Sequence, residues 1–272
     1  MKYIDKIIVQ EKDAVGMSAA EVYKCQIEDQ VVYLKRINEI YSRTTYSVKR
    51  EAEVMQWLEG ILNVPKVIEY GQKESTEYLI MSEIEGKSID DFAEDPIQYI
   101  AYLANAIKLL QSIDISNCPF SSQIDMRLEE LDYLLKNGLA DTDISNWEDS
   151  TEFTDPQELY KWLCDNKPHE ELVFSHGDIS NLFICNDEIY FFDLARCGTA
   201  DKWLDISMCV REIRNFFHNS EFEKLFFEML GMEPNYEKIN YYAINASMKI
   251  AKEKGKYSCF DLVFRRSFGR FL

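Results

Sequence analysis

The stretch HGDISN, in the second half of the chain, holds residues whose types and spacing could orient a hydroxyl group and hold a metal ion. It contains Asp178 and Asn181, three residues apart, and Asp193 closes the apolar run IYFFD beyond it. A carboxylate can orient or deprotonate an acceptor hydroxyl, and carboxylate and amide oxygens can hold Mg²⁺ on phosphate groups. Such oxygens suit Mg²⁺ better than the sulfur of the nearby cysteines. The other interpretation is that Asp178 and Asn181 are turn residues between strands.

A second candidate site is an ion pair in the first part of the chain. Glu51 falls within an apolar stripe formed by Val48, Ala52 and Met55 at helical spacing. A carboxylate that faces a core needs a cationic partner to stay ionised, and Lys35 on the preceding strand could supply it. The pair could be purely structural, or it could hold a lysine against the α- and β-phosphates of ATP.

Tyr33 lies on the same face of the predicted strand as Lys35, one pleat away. An aromatic ring at that place could stack on a purine while the lysine meets the phosphates. The residue pattern alone gives equal weight to a plain core role for Tyr33.

The elements that must position these residues follow from the hydrophobic pattern. The segment 30–38, QVVYLKRIN, alternates as a strand, and KVIEY and EYLIMSEI flank the turn GQKEST as a hairpin. Between them TTYSVKREAEVMQWLEG has helical period, with Thr44 or Thr45 as the N-cap and Gly60 beyond the end. After about residue 86 the pattern is mostly helical, except for two short strands, LFIC and IYFFD, around HGDISN. The prediction is an α+β protein with a small antiparallel sheet and one helix, followed by a larger helical region.

Composition excludes several classes of protein. The net charge is 30 − 48 = −18, which argues against a nucleic-acid surface and favours cationic ligands. Seven cysteines without a C-x-x-C pair indicate reduced thiols, and the three histidines have no zinc-ligand spacing. The first residues, MKYIDKIIVQEKD, are too charged for a signal peptide, and no apolar run reaches membrane-spanning length. We expect a cytoplasmic protein without membrane or nucleic-acid partners, as a monomer or weak dimer.

The motifs HGD…FFDLAR…ADKWLD resemble the catalytic core of the aminoglycoside phosphotransferases, relatives of the eukaryotic protein kinases. Within that family the chain is most similar to the 3′-phosphotransferases, particularly type III, over roughly residues 10–245. Segments that match in order include VGMSAAEVYK, TTYSVKRE, LIMSE, RLEELDYLL, ELVFSHGD and CVR-IR. The resemblance implies a protein-kinase-like fold, with a nucleotide-binding lobe at 1–83 and a catalytic and substrate-binding lobe at 84–272.

The resemblance also implies a role for each candidate residue. Asp178 would be the catalytic base and contact the substrate, Asn181 and Asp193 would bind Mg²⁺, and Asp205 and His176 would brace the loop. The residues implied to bind ATP, with GTP as an alternative, are Lys35, Glu51, Tyr33 on adenine, Ser82 and Ile84 in the hinge, and Met17 and Ser18 over the phosphates.

Two departures from the family bear on activity. The family places the asparagine five residues after the catalytic aspartate, whereas Asn181 follows Asp178 by three. Of the substrate-binding residues, Glu148 and Arg196 match the family. Other carboxylate positions hold Ser145, Asn215, Phe216 and Ser247. Beyond these the chain carries seven basic and two acidic residues from Lys249 onward, which should weaken the binding of a cation. The acidic segment 141–159 could partly restore the negative charge.

The function expected is ATP- and Mg²⁺-dependent phosphorylation of a hydroxyl on a small cationic molecule, with the 3′-hydroxyl of an aminoglycoside favoured and antibiotic resistance as its consequence. Two alternatives stay open: a kinase for another acceptor, such as a macrolide, an aminoalcohol or a sugar, and a nucleotide-binding protein with little activity.

Overall fold

A computed structural model describes residues 3–12, 19–143, 147 and 152–246 of the chain. Several residues named above lie outside this part: Met17, Ser18, Ser145, Glu148, Ser247 and the tail that follows. Within the described residues no helix is both long enough and apolar enough to cross a membrane. The six cysteines in this part of the chain are all free thiols.

A five-stranded antiparallel sheet forms the first part of the chain, in the order β1-β2-β3-β5-β4. Its strands are β1 (Ile8–Lys12), β2 (Glu21–Ile27), β3 (Gln30–Asn38), β4 (Val67–Lys73) and β5 (Thr76–Ser82). The predicted strand over 30–38 is confirmed as β3, at the centre of the sheet. Its register with β5 sets Tyr33 opposite Met81 and Lys35 opposite Leu79. Because alternate residues of a strand share a face, Tyr33 and Lys35 lie on one face of the sheet.

Helix α1 (Val48–Leu58) crosses between β3 and β4, and Ser47 is its N-cap. The Ser47 hydroxyl accepts a hydrogen bond from the Arg50 backbone N–H at 3.3 Å. The prediction that Thr44 or Thr45 caps the helix was therefore wrong. Thr45 instead donates its backbone N–H and its hydroxyl to the buried carboxylate of Glu130, so these threonines belong to the turn that precedes the helix.

Helix α1 packs against both the sheet and the second part of the chain. Its buried residues, including Val54 and Leu58, belong to one hydrophobic core that continues into the helices beyond residue 96. On its outer side the Trp57 ring stacks on Phe174, with ring centroids 5.2 Å apart, and meets Phe120 edge-on. The opposite face of the sheet has its own smaller apolar cluster around Cys25, Leu34 and Ile80. Helix α1 is thus the element through which the two parts of the chain share a core.

The remainder of the described chain is mainly helical, as predicted. Its helices are α2 (Pro96–Gln111), α3 (Ile124–Lys136), α4 (Pro156–Asp165), α5 (Trp203–Phe217), α6 (Ser220–Leu230) and α7 (Tyr236–Asn245). Its short strands are β6 (Lys87–Ser88), β7 (Leu172–Ser175), β8 (Leu182–Cys185), β9 (Glu188–Phe191) and β10 (Gly198–Asp201). Strands β6, β8 and β9 form one small antiparallel sheet, and β7 pairs with β10. The predicted hairpin of LFIC and IYFFD is confirmed as β8 and β9, and the α+β class is confirmed.

Candidate active site

Lys35 lies between two carboxylates at the junction of the sheet, α1 and the segment after β9. Its ammonium nitrogen is 2.7 Å from Oε2 of Glu51 and 2.5 Å from Oδ1 of Asp193. The Lys35 and Glu51 side chains are almost fully buried, whereas that of Asp193 is 38% exposed. The structure therefore brings together three residues separated widely in sequence, and of these three the aspartate is the one that opens to solvent.

The charges of this triad follow from burial and mutual attraction. Burial alone would lower the pKa of Lys35, but the carboxylates of Asp193 and Glu51 outweigh burial and raise it. Burial also opposes ionisation of Asp193, yet the Lys35 ammonium holds the pKa of Asp193 below its ordinary value. For the fully buried Glu51, burial raises the pKa and Lys35 offsets only part of the effect. The site thus presents a charged lysine and an ionised, partly exposed aspartate.

The backbone at Asp193 is left-handed, with φ of 58° and ψ of 55°, immediately before a single 3₁₀ turn at Leu194–Arg196. A non-glycine residue in this conformation is uncommon, and such conformations cluster at functional sites where the surroundings hold them. Here the Lys35 contact supplies part of that restraint. The side chain of Asp193, just after β9, points towards β3, where it contacts Lys35.

The loop that carries Asp178 leaves β7 and is held by hydrogen bonds from its own backbone. The carboxylate of Asp205, in the first turn of α5, accepts from the backbone N–H of His176 at 2.7 Å and of Gly177 at 2.8 Å. The Asp178 backbone N–H donates to Nδ1 of His176, which leaves Nε2 to donate to the carbonyl oxygen of Phe192. Asp205 and His176 therefore brace the loop, in the way that the resemblance implies.

Asn181 lies close to Asp178 because the chain between them forms a tight turn. Its backbone N–H and its side-chain Nδ2 both donate to the carbonyl oxygen of Asp178, at 3.3 and 3.1 Å. The carbonyl oxygen of Asn181 in turn accepts from the N–H of Phe192, the residue before Asp193. Despite the shortened spacing, Asn181 therefore lies beside the end of β9, next to the residues that lead to Asp193. Its side-chain Nδ2 is engaged with Asp178, so its amide oxygen Oδ1 is the side-chain atom that could bind a metal.

Gly177 has φ of +78°, and a Cβ built on it would lie 2.7 Å from the carbonyl oxygen of Arg196. We expect Gly177→Ala to lower the free energy of unfolding by more than the roughly 1–2 kcal/mol that left-handed backbone costs, and to lower turnover, because the loop must move away from Arg196.

Gly138→Ala is the matched control. Gly138 has φ of +65°, and a Cβ placed there would meet no atom of the described residues within 4 Å, its own chain neighbours aside. Chemical denaturation of both variants separates backbone strain from the contact with Arg196. Equal destabilisation of the two would contradict the close approach.

Arg196 lies three residues after Asp193, and its guanidinium carbon is 5.3 Å from the centroid of the Tyr46 ring. Its carbonyl oxygen accepts from the hydroxyl of Ser122, which also accepts from the buried side chain of Arg127. Burial and the neighbouring Arg196 guanidinium lower the pKa of Arg127 to about 10. Arg196 was predicted from the family resemblance, whereas the Tyr46 and Arg127 side chains that surround it were not predicted.

A signal for Arg127 and Glu130 was present in the sequence. Both are buried charged residues of α3, and they lie among the apolar residues Leu128, Leu131 and Leu134. A charge within an apolar helical stripe is the same anomaly that drew attention to Glu51, and it indicates a partner on another element.

The residues predicted to meet adenine lie at the end of β5 and on β3. The ring of Tyr33 is half-buried, with the Lys24 ammonium 6.0 Å from its centroid, and Lys24 pairs with Glu83. The backbone N–H of Ser82 donates to the carbonyl oxygen of Lys66, so this N–H is already engaged within the sheet. Ile84, two residues after Ser82, is half-buried beyond the end of the strand.

Two of the residues that replace family carboxylates are described by the structure. Asn215 is exposed near the end of α5, whereas the half-buried Phe216 packs on Tyr99 with ring centroids 5.4 Å apart. Phe216 therefore packs against the hydrophobic core, and it contributes no carboxylate to a cation-binding ring.

Comparisons with known proteins show which family this chain resembles. Residues 12–240 match the model of the phosphotransferase enzyme family. A protein of Campylobacter jejuni named aminoglycoside 3′-phosphotransferase is 63% identical over 245 residues, which are 90% of this chain and 98% of the relative. One of the same name from Enterococcus faecalis is 48% identical over 239 residues, covering 86% and 90%.

Among solved structures, the crystal structure of aminoglycoside-3′-phosphotransferase of type VIII superposes with a TM-score of 0.72 at 21% identity, covering 89% of this chain and 92% of that chain. Aminoglycoside phosphotransferase APH(3′′)-Id from Streptomyces rimosus, in complex with ADP and streptomycin, gives a TM-score of 0.70 at 18% identity, covering 84% and 89%. These similarities confirm the predicted kinase-like fold. With the matches to the family model and to the two relatives, they show that the chain belongs to the phosphotransferase enzyme family.

Proposed function

We propose that this protein transfers the γ-phosphoryl group of ATP, with Mg²⁺, to the 3′-hydroxyl of an aminoglycoside. The observation that carries the proposal is the position of Lys35, held between the buried Glu51 and the partly exposed Asp193. Phosphoryl transfer needs positioned charges more than covalent chemistry, and this triad is such an arrangement. The relative at 63% identity and the relative at 48% identity, both named aminoglycoside 3′-phosphotransferase, support the choice of acceptor.

Each residue has a defined task in this proposal. Lys35 meets the α- and β-phosphates, with Glu51 fixing the direction of its ammonium group. Asp178 accepts a hydrogen bond from the acceptor hydroxyl, orients it and takes its proton as the phosphoryl group is transferred. Arg196 and Glu148 contact the acceptor, and the latter lies outside the described residues.

The donor set at Asp193 and Asn181 fits Mg²⁺. The ion is usually bound through one or two carboxylates together with substrate phosphates, and it prefers oxygen ligands. Asp193 offers an ionised and partly exposed carboxylate, and Asn181 offers an amide oxygen from the neighbouring turn. When bound, Mg²⁺ would neutralise charge on the phosphate groups.

The nucleotide is proposed to bind between a lobe of residues 1–83 and a lobe of residues 84–272. Tyr33 would stack on the base, and Ser82 and Ile84 would meet its edge through the carbonyl oxygen of Ser82 and the N–H of Ile84. Met17 and Ser18 would close over the phosphates from a segment outside the described residues. A comparison of ATP with GTP as donor tests the choice of base.

Two observations favour other outcomes. Because Phe216 stands at a position that the resemblance assigns to a carboxylate, the carboxylate ring is depleted, and a different acceptor becomes the alternative. Because only two residues separate Asp178 from Asn181, a nucleotide-binding protein without turnover is the second alternative.

ADP release in the presence of Mg²⁺ and ATP tests the proposal with a matched pair of acceptors, kanamycin B and tobramycin, which differ by the 3′-hydroxyl. We expect saturable release with kanamycin B and none with tobramycin. Neomycin is a further aminoglycoside acceptor, and a macrolide and choline represent the other acceptor classes. Release with both members of the pair would contradict the 3′ position. Nucleotide binding without release for any acceptor would support the inactive alternative.

A further inference from the structure

Arg50, the residue before Glu51 on α1, makes three hydrogen bonds to backbone carbonyl oxygens outside its own helix. Its Nε donates to Ala195 at 2.8 Å, and its Nη2 donates to Ser121 at 2.8 Å and to Cys197 at 2.9 Å. The guanidinium also lies 5.4 Å from the centroid of the Phe120 ring. One side chain of α1 therefore holds two separate segments of the second part of the chain.

The segment that Arg50 holds most firmly is the one that follows Asp193. Ala195 and Cys197 flank Arg196, two and four residues after Asp193. The neighbouring Glu51 reaches the Lys35 ammonium, which contacts Asp193 itself. Two consecutive residues of α1 thus restrain the segment 193–197 from its two ends, one through a lysine and the other through the backbone.

The same segment also supports the loop that carries Asp178. The carbonyl oxygen of Arg196 lies so close to Gly177 that a Cβ there would be 2.7 Å away. A shift of residues 195–197 would consequently move against Gly177, and the position of Asp178 would change with it.

Arginine is chemically suited to this task. Its planar fork directs several N–H groups at fixed angles, whereas the lysine ammonium is a single point charge on a flexible stem. Burial lowers the pKa of Arg50, and the three hydrogen bonds of its guanidinium end on carbonyl dipoles instead of carboxylates. The main effect of this largely buried cation is therefore to fix the positions of the three carbonyl groups that it contacts.

We propose that Arg50 is a positioning residue for Mg²⁺ binding, which fixes Asp193 by holding the carbonyl groups of Ala195 and Cys197; this inference rests on the proposed function. Arg50 does not touch nucleotide, metal or acceptor. It keeps α1 and the segment 193–197 in one arrangement, in which Lys35, Glu51 and Asp193 are already assembled before nucleotide binds.

The test compares Arg50→Met, Arg50→Lys and a control, Lys49→Met, in the full chain. Lys49 is the preceding residue of α1, its side chain is 62% exposed, and its ion pair with Glu53 is long at 3.8 Å. The first measurement is ADP binding without metal. The second is the Mg²⁺ concentration that gives half of the metal-dependent increase in ADP affinity. Thermal unfolding without ligand is measured in parallel.

For Arg50→Met we expect metal-free ADP affinity near that of the unaltered protein. The half-saturating Mg²⁺ concentration should rise by about 10- to 100-fold, the range for losing a group that orients a metal ligand. The half-saturating Mg²⁺ concentration of Arg50→Lys should lie between those of Arg50→Met and the unaltered protein, and that of Lys49→Met should match the unaltered protein. Should Arg50→Met fail to fold, Arg50→Lys carries the test, since it keeps the charge and loses the fork.

An unchanged Mg²⁺ requirement in a folded Arg50 variant would overturn the inference, even if its unfolding temperature falls, because Arg50 would then be only a structural link. That outcome leaves the proposed function intact. If the unaltered protein shows no effect of Mg²⁺ on ADP binding, the proposed function and this inference are both overturned.

Discussion

Asp178→Ala is expected to lower turnover by about 10²- to 10⁴-fold, the range for removing a positioned general base, with ADP binding almost unchanged. Asp178 is not a member of the ion-paired triad of Lys35, Glu51 and Asp193, and its loop is held through backbone groups that alanine retains. The loss should therefore appear in kcat and not in nucleotide affinity. ADP release at saturating ATP, together with ADP titration, measures the two quantities separately.

Asp178→Asn sharpens this prediction, because it keeps the shape of the side chain and removes its ability to take a proton. It should be impaired nearly as much as the alanine variant. Asp165→Ala is the control, since Asp165 is an exposed aspartate at the end of α4 whose partner is Lys161. Undiminished turnover in Asp178→Ala would remove Asp178 from the mechanism.

The second large effect is expected for Lys35→Met, in both activity and stability. Turnover should fall by about 10²- to 10³-fold, the range for losing one preorganised charge-stabilising group. The free energy of unfolding should fall by about 3–5 kcal/mol, because removing one partner of a buried ion pair leaves an uncompensated charge. Lys12→Met is the control, since Lys12 pairs with Glu21 on the exposed edge of the same sheet. Kinetics and chemical denaturation check the two effects.

The stability loss in Lys35→Met should depend on pH. Burial already raises the pKa of Glu51 above its ordinary value of 4.5, and Lys35 is the group that opposes this rise. Without the lysine, the folded protein retains the Glu51 proton to higher pH, while the unfolded chain releases it near 4.5. The unfolded state then binds fewer protons, so the free energy of unfolding falls as pH rises above about 4.5.

The difference in stability between the unaltered protein and Lys35→Met should accordingly widen between about pH 4 and pH 7. Adding Glu51→Gln to Lys35→Met removes the Glu51 titration and should reduce the widening to the part contributed by Asp193, which also loses its Lys35 partner. Denaturation curves at several pH values measure both proteins. A constant difference across this range would show that Glu51 is not the residue left uncompensated.

Much of the site was predictable because its residues stand out in the hydrophobic pattern of the segments that carry them. Glu51 stands out as a carboxylate in an apolar stripe, and the alternation of β3 places Tyr33 and Lys35 on one face. The hairpin after HGDISN follows from its two apolar runs and the polar pair between them. In each case the residues that reveal the feature lie within a few positions of one another, so a short window of sequence is sufficient.

Other features were not predictable from a short window. Arg50 resembles an ordinary solvated residue of α1, because its partners are backbone carbonyl groups, which every residue possesses. The N-cap prediction fell on Thr44 or Thr45 because serine and threonine are all good caps, and the contact of Thr45 with Glu130 leaves the position to Ser47. Phe216 falls at a position that family resemblance assigns to substrate, yet its contact with Tyr99 is set by packing between helices.

The long-range contacts of α1 also constrain how the chain is made. Lys35 and Asp193 are 158 residues apart in sequence, and Arg50 and Cys197 are 147 apart. Domains fold as units during synthesis, beginning from the N-terminal end. When the ribosome has completed the sheet and α1, it has not yet synthesised the later segments. These segments supply the rings that pack on Trp57 and the carbonyl groups that accept from Arg50. A nascent chain stalled before residue 197 would therefore expose the undocked α1 to chaperones and proteases. The sheet and α1 cannot reach their folded arrangement before the later part of the chain is synthesised.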